Sequence, residues 1–336
     1  MNKILYIGNK LEKYGNSPTS ADILPKFLNS EKFEVKVCSE QKNKLLRLLD
    51  FTYHVFFYGS QSKYVLIDTY STLNFWYAIW CGFLCRLIKV RYIPLLRGGN
   101  LDNRLIKNKK IATFYFENSH INIAPSEFMV RTFRERDIRN IKHIPNTIIL
   151  SNYDFQERSR IKPSILWVRA FDKVYNPEMA ITVLEILRKD YPDAKLCMVG
   201  PDKDGSHEEL KKMAKDKDLA VKFPGKLKKT EWIELSKDYD IFINTTSIDN
   251  TPVSVIEAMA LGMPVVSTNV GGIPYLINNT ENGLLVDSND AKAMAMAVEQ
   301  LIENPELTEK LSVQGRQKVE NFNWAKVKPL WLELLG

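Results

Sequence analysis

The chain has 336 residues, 45% of them apolar, and a formal net charge of +7. That length is more than one core usually serves and the apolar share can fill two, which excludes a small single-core module and predicts two domains. Cys38, Cys81, Cys85 and Cys197 show no metal spacing beyond a loose Cys-x3-Cys, and a reduced, cytoplasmic protein is expected.

Charge is uneven. Residues 1–150 hold 23 Lys and Arg against 12 Asp and Glu, and the remainder holds 24 against 28. A basic half attracts an anionic membrane surface, a nucleic acid or an acidic acceptor, or is only a soluble surface. No nucleic-acid motif is recognisable, so a nucleic-acid partner is not expected and a membrane or lipid-linked partner ranks ahead of it.

Strands alternate with helical stretches along the chain, the pattern of parallel sheets with helices on both faces. Met1-Asn-Lys runs directly into a strand over Lys3 to Ile7, which predicts no N-terminal signal peptide. The loop Gly15-Asn16-Ser-Pro-Thr precedes a helix near Ala21 to Leu28 and has one glycine where a dinucleotide phosphate loop needs three. That argues against a nicotinamide enzyme; as a plain turn, the loop needs only Thr19 or Ser20 to cap the helix. Strands follow around Phe33 to Val37, Tyr64 to Asp68, Tyr92 to Leu96 and Ile121 to Ala124.

Leu73 to Lys89 is rich in aromatics, carries or adjoins Arg86, Lys89 and Arg91, and is too short to span a bilayer. It reads as a core helix in preference to one lying in a membrane interface. Asp68 and Arg97, at strand ends, are candidate binding residues; the alternative is that Asp68 caps the next helix and Arg97 pairs with it. None of the four histidines is expected at such a strand end, so a histidine base is not supported.

Ser151 to Pro163 is polar and strand-free and is read as a linker between domains at 1–150 and 151–320. A second series of strands is expected around Ser164 to Val168, Ala194 to Val199, Val221 to Pro224, Asp240 to Asn244 and Pro264 to Ser267. Residues 321–336 form a C-terminal segment, helical from Trp324 to Leu335, with a kink at Pro329. The expected architecture is α/β: two doubly wound, Rossmann-like parallel-sheet domains facing a central cleft.

The most informative stretch runs from Asp240 to Gly272. Ile241 to Asn244 is apolar and β-branched, as a strand buried on both faces should be, and Thr251-Pro252 pairs an N-cap residue with the residue favoured at the first helical position. A helix is therefore expected to open there, its free amides at Val253 and Ser254 favouring an anion such as a phosphate. Asp249 precedes the helix and Glu257 lies in its second turn, eight positions on. Two acids beside an anion site suit acceptance of sugar or ribose hydroxyls. Alternatively Asp249 helps to cap the helix and Glu257 is a solvated or paired charge, but a carboxylate entering so apolar a run needs a partner. Upstream, Arg169 leaves a strand end, where its rigid fork suits a diphosphate; the alternative is a salt bridge to a neighbouring acid.

This stretch resembles the signature of the family 4 glycosyltransferases, which have the GT-B fold. Their pattern is a Glu, seven residues, a second Glu, then Ala-Met, Gly-x-Pro-Val-Val and a Gly-Gly turn. Glu257 matches the second Glu, Ala258, Met259, Gly262, Pro264, Val265 and Val266 the tail, and Gly271-Gly272 the turn; Asp249 replaces the first Glu. The resemblance implies that Glu257 binds ribose hydroxyls, that Asp249 faces the transferred sugar, and that Asn250, Thr251, Pro252 and Val253 border the donor. It implies that Arg169 contacts the diphosphate with a nearby lysine, here Lys173, and that the loops at Gly200 and at Gly225-Lys226-Leu227 receive the base. Gly15 and Asn16 would approach the donor phosphates and the acceptor.

By resemblance the reaction is retaining transfer of a sugar from a nucleotide diphosphate, such as a UDP-sugar, to a saccharide or lipid-linked acceptor hydroxyl. Synthesis of a cell-surface polysaccharide or glycolipid at the inner face of the membrane, with peripheral contact to its anionic surface, is the expected setting. Chemically, Arg169 and the helix amides can stabilise a leaving diphosphate, and no Asp-x-Asp motif in a supporting context is visible. Metal independence, and no cofactor beyond the donor, are therefore expected. Two alternatives are a nucleotide-sugar epimerase of the same fold and a non-catalytic nucleotide-sugar binder or partner subunit.

Overall fold

The computed structural model describes residues 2–10 and 19–336, so the expectations for Gly15 and Asn16 lie outside the described residues. The chain divides into two compact units, Met1–Thr147 with Trp324–Gly336, and Ile148–Asn323.

The first unit is built on β1 (Lys3–Ile7), β2 (Glu34–Cys38), β3 (Tyr64–Thr69), β4 (Arg91–Leu96), β5 (Asn122–Ala124) and β6 (Ile141–His143). They form one parallel sheet in the order β2-β1-β3-β4-β5-β6. The central strands read as unbroken apolar runs because helices cover both faces. Ile4 to Ile7 and Val65 to Ile67 are buried, each fully buried aliphatic contributing roughly 1.5–3 kcal/mol. The helices are α1 (Ser20–Ser30), α2 (Lys44–Phe57), α3 (Asn74–Leu87), α4 (Leu101–Lys107), α5 (Lys109–Glu117) and α6 (Glu127–Arg134), with the C-terminal helix Trp324–Leu335. Trp331 and Leu335 of that last helix join Ile4, Tyr6 and Leu28 in one core cluster.

Leu73 to Lys89 contains α3, one side of which enters the core as the core-helix reading expects. Phe75, Ala78, Cys81, Leu84 and Cys85 are buried, while Trp76, Trp80, Phe83 and Leu87 are exposed.

The second unit carries β7 (Ser164–Val168), β8 (Lys195–Val199), β9 (Val221–Gly225), β10 (Ile241–Asn244), β11 (Val265–Thr268) and β12 (Leu284–Val286). Its order is β12-β11-β10-β7-β8-β9, again all parallel. The chain moves outward from β7 to β9, then returns and moves the other way from β10 to β12. The strand order therefore reverses between β7 and β10, where ligands bind in such sheets. Around it lie α7 (Pro177–Leu187), α8 (Ser206–Asp216), α9 (Lys229–Leu235), α10 (Val253–Ala260), α11 (Ile273–Leu276), α12 (Ala291–Glu303) and α13 (Pro305–Glu320).

Two sequence expectations need correction. The edge strands β6 and β12 were not foreseen: each has only three residues, too short a run for a period to show. His143 ends the edge strand β6, not β3 or β4, the strands at whose ends Asp68 and Arg97 stand, and its Nδ1 lies 2.9 Å from Glu127. Ser151 to Pro163 is not a free linker but packs on the second unit. Tyr153 and Arg158 are buried there, and Arg158 donates to the carbonyls of Gln156 and Leu261. The charged residues around these two, Asp154, Glu157, Arg160 and Lys162, are exposed, so composition alone gives no sign of the buried pair.

Candidate functional site

The polar residues singled out in the second unit gather at the carboxyl ends of its strands. Arg169 directly follows β7 and Asp249 lies in the loop after β10, so they come from the two strands that flank the reversal. Arg169 Nη2 and Asp249 Oδ2 form an ion pair, both side chains being largely buried. The guanidinium also lies over the Tyr175 ring, 4.5 Å from its centroid. Burial pulls the Arg169 pKa below the usual arginine value, with Tyr175 acting the other way. The salt-bridge alternative for Arg169 thus holds, and its partner is the candidate residue Asp249.

The two loops are stitched together. Thr245 Oγ1 donates to Tyr175 O at 2.8 Å, Ser247 N–H to Val174 O at 2.8 Å, and Trp167 Nε1 to Thr245 Oγ1 at 3.0 Å. Behind Arg169, its amide donates to Val199 O at 3.0 Å, and a Cβ on Gly200 would lie 1.6 Å from Arg169 O. Only glycine allows that approach. Gly200 thus seats the arginine loop.

The Gly-Gly turn has a comparable use. A Cβ on Gly271 would lie 2.1 Å from Asp249 O, and one on Gly272 2.0 Å from Asn250 O, while Gly272 N–H donates to Asp249 O at 3.0 Å. The turn is pressed flat against the backbone that presents Asp249, and Gly271 has φ +54°.

The helix start differs from expectation. Pro252 is the N-cap, with φ −67° and ψ 115°, and Val253 is the first helical residue of α10. Thr251 lies one residue outside the helix, because Pro252 takes the extended conformation instead of the helical one. The amides of Val253 and Ser254 still precede the first intrahelical bonds, which run from Val255 and Ile256 to Pro252 O.

Glu257 has the partners that its apolar run required. Tyr153 OH donates to its Oε1 at 2.6 Å, and Lys229 Nζ lies 2.5 Å from the same atom; the carboxylate side chain is 6% exposed. Oε2 carries neither contact. Burial, followed by the charge of Glu257, raises the Tyr153 pKa, so the phenol stays a donor. Sequence reasoning missed both partners. Tyr153 lies in a segment that reads as a linker, and Lys229 begins α9 two residues beyond the Lys226-Leu227 pair.

The remaining residues are less concentrated. Lys173 has an exposed side chain, and its amide donates to Asp204 Oδ2 at 2.8 Å. Gly225 accepts from Gly200 N–H at 2.9 Å, joining the two loops expected to meet the base. Lys226 is exposed, and Leu227 packs against the core cluster of Trp232 and Phe242. Asn250 is buried, Thr251 half-buried, and Val253 is exposed. Among the described residues no group of three or more His, Cys, Asp or Glu could hold a metal ion.

In the first unit, Asp68 takes the pairing alternative with Arg97. Arg97 Nε donates to Asp68 Oδ1 at 3.0 Å, Tyr6 OH donates to the same oxygen at 2.9 Å, and Arg97 Nη1 donates to Asn146 Oδ1 at 2.9 Å. Tyr6 and Asp68 stand on β1 and β3, the strands between which that sheet reverses. Burial raises the Asp68 pKa, with Arg97 lowering it.

Two doubly wound parallel-sheet units, the second with a cationic and acidic site at its strand reversal, define a GT-B-type architecture. Solved structures agree. A sucrose-phosphate synthase from Thermosynechococcus elongatus superposes with a TM-score of 0.80 at 17% identity, covering 99% of this chain and 98% of that one. Anabaena HepE in complex with UDP-glucose superposes with a TM-score of 0.78 at 16% identity, covering 99% of each chain. At such identities these matches establish the fold. Residues 152–318, nearly all of the second unit, match the model of the family described as glycosyl transferases group 1. An uncharacterized glycosyltransferase of Haemophilus influenzae is 28% identical over 211 residues, covering 60% of this chain and 56% of that protein. The chain thus spans about half the length of this curated relative.

Proposed function

We propose that this protein is a retaining glycosyltransferase of the family 4 type that moves a hexose from a nucleoside diphosphate sugar to an acceptor hydroxyl. The observation that carries the reading is the convergence of Arg169 and Asp249 from β7 and β10, beside the start of α10. When the donor's sugar–phosphate bond breaks, negative charge grows on the diphosphate. Arg169 and the Val253 and Ser254 amides are the groups that stabilise it. Asp249 holds Arg169 in place before the donor arrives, then accepts a hydroxyl of the transferred sugar. Glu257, fixed through Oε1 by Tyr153 and Lys229, offers Oε2 to the ribose.

Uracil is the proposed base, on the strength of the UDP and UDP-glucose complexes of HepE-type neighbours. The acceptor is a saccharide or lipid-linked saccharide of a cell-surface polymer, met at the inner face of the membrane; the basic charge of residues 1–150 supports that setting. No metal takes part in this reading, and retention rests on the family resemblance.

Incubation with a panel of UDP-sugars and saccharide acceptors tests the proposal, with product anomers read by NMR. Acceptor-dependent release of UDP with an α-linked product from an α-linked donor is expected. Epimer formation without acceptor, or nucleotide binding without turnover across the panel, contradicts it.

A further inference from the structure

Helix α2 has two apolar sides. Phe51 and Val55 enter the core of the first unit, whereas Leu45, Leu46, Leu49, Tyr53, Phe56 and Phe57 point to solvent. At about 100° per residue these six fall within one third of the helix circumference. Their exposure is high for such side chains, 57% for Leu49 and 58% for Phe57.

Helix α3 repeats the arrangement. Leu73, Trp76, Trp80, Phe83 and Leu87 recur at intervals of three and four residues on its outer side, with Phe83 at 53% and Leu87 at 62% exposure. The two helices lie side by side. Trp80 Nε1 donates to Thr52 Oγ1 at 2.9 Å, and Tyr77 OH donates to Lys44 O at 3.1 Å. Helix α5 extends the face through Phe114, over which the Arg86 guanidinium lies at 4.6 Å. A contiguous apolar face of this kind marks an interaction surface.

Charge selects the occupant. Residues 41–116, which include these helices, hold twelve Lys or Arg against three Asp or Glu, and α3 contains no acidic residue. Lys107, Lys109 and Lys110 are exposed where α4 meets α5, Lys110 one turn before Phe114. A second copy of so basic a face would be repelled, whereas an anionic bilayer is complementary. The apolar side chains suit the acyl boundary, with tryptophans, tyrosine and basic groups at headgroup level. Each helix has 14 residues, about 21 Å at 1.5 Å per residue. That is short of the roughly 30 Å needed to span.

We infer that the outer face of α2 and α3, with α5 at its edge, is a monotopic docking surface for an anionic lipid bilayer. It deepens the membrane setting proposed above and shares no residue with the donor site.

The test is flotation of the full chain with phosphatidylcholine vesicles with and without phosphatidylglycerol, in low and high salt. The paired variants are Leu49→Glu/Phe83→Glu and Lys107→Glu/Lys110→Glu. Wild type is expected to float with the anionic vesicles and to be released by salt, and its tryptophan emission to shift to the blue. Each paired variant should lose about tenfold or more in partitioning, at roughly 1 kcal/mol per basic residue near the surface, with unchanged circular dichroism. Nucleoside diphosphate binding, measured without vesicles, should be the same in wild type and variants, so failure of the membrane surface and failure of the donor site are read separately. Absence of wild-type flotation with either vesicle overturns the inference. So does concentration-dependent dimerisation without lipid that Leu49→Glu/Phe83→Glu abolishes, which would give the face to a second copy.

Discussion

Glu257 and Lys229 meet at 2.5 Å, joining the second turn of α10 to the first residue of α9. Tyr153 donates to the same carboxylate oxygen. Tyr153→Phe removes a hydrogen bond to a buried charge and is expected to cost about 1.5–3 kcal/mol in chemical denaturation. Lys229→Met should cost less, because the lysine side chain is 37% exposed and part of its attraction is screened. Both should weaken nucleotide affinity by letting the carboxylate move, an effect read by titration calorimetry.

The ion pair of Arg169 and Asp249 predicts different outcomes for its two members. Asp249→Asn leaves Arg169 charged and unopposed, so nucleoside diphosphate affinity should hold or rise while sugar transfer falls. Arg169→Ala should lose both. A denaturation cycle with Asp249→Ala, Arg169→Ala and the double variant should return a coupling of about 1–3 kcal/mol. A coupling near zero would show that the contact does not organise the site.

Gly271→Ala and Gly272→Ala test whether the turn positions Asp249. The added Cβ would press on the carbonyl oxygens of Asp249 and Asn250, which are backbone and cannot turn aside. Displacement of that loop by about 1 Å should reduce transfer about a hundredfold. Nucleotide affinity should fall much less, since Glu257 is held by Tyr153 and Lys229, and Arg169 keeps its amide hydrogen bond to Val199 and the Tyr175 ring when Asp249 moves. Equal losses in the two measurements would mean that the turn supports the unit as a whole.

Much of this architecture was legible in the residues. The strands that carry the site, β7 and β10, are apolar runs ending in a polar loop, and Ile241 to Asn244 matches its predicted span closely. Arg169, Asp249 and Glu257 stood out because polar groups leaving such runs must be used or paired. The partners did not stand out. Tyr153 is 104 residues from Glu257, in a segment whose composition resembles a linker, and no local pattern encodes a contact at that range. The start of α10 was misplaced by a residue because Thr-Pro fits two cap positions and only tertiary packing selects between them. The outer faces of α2 and α3 share their period with the inner faces, so a sequence pattern shows an apolar helix without showing which side stays uncovered.

Asp68 gives a pH test in the first unit. Burial holds its folded pKa above the ordinary 3.8. A carboxyl raised in this way contributes stability that is complete below 3.8 and is lost as pH rises through the folded value. Asp68→Asn removes that titration. The NH2 it introduces would take the place of the buried Oδ2, which has no partner, and should lower the melting temperature on the acid side, but the gap to wild type should narrow as pH rises toward neutrality. A gap that widens over that range would mean that Arg97 outweighs burial.

The most direct test of the donor site is titration calorimetry of nucleoside diphosphates into wild type, Arg169→Ala and Glu257→Ala, each checked for folding by circular dichroism. The wild type should bind one diphosphate, and each folded variant should bind it at least about tenfold more weakly, a loss of some 1.4 kcal/mol. A folded wild type that binds none of them, or variants that bind as tightly as it does, would contradict the placement of the donor site between β7 and β10.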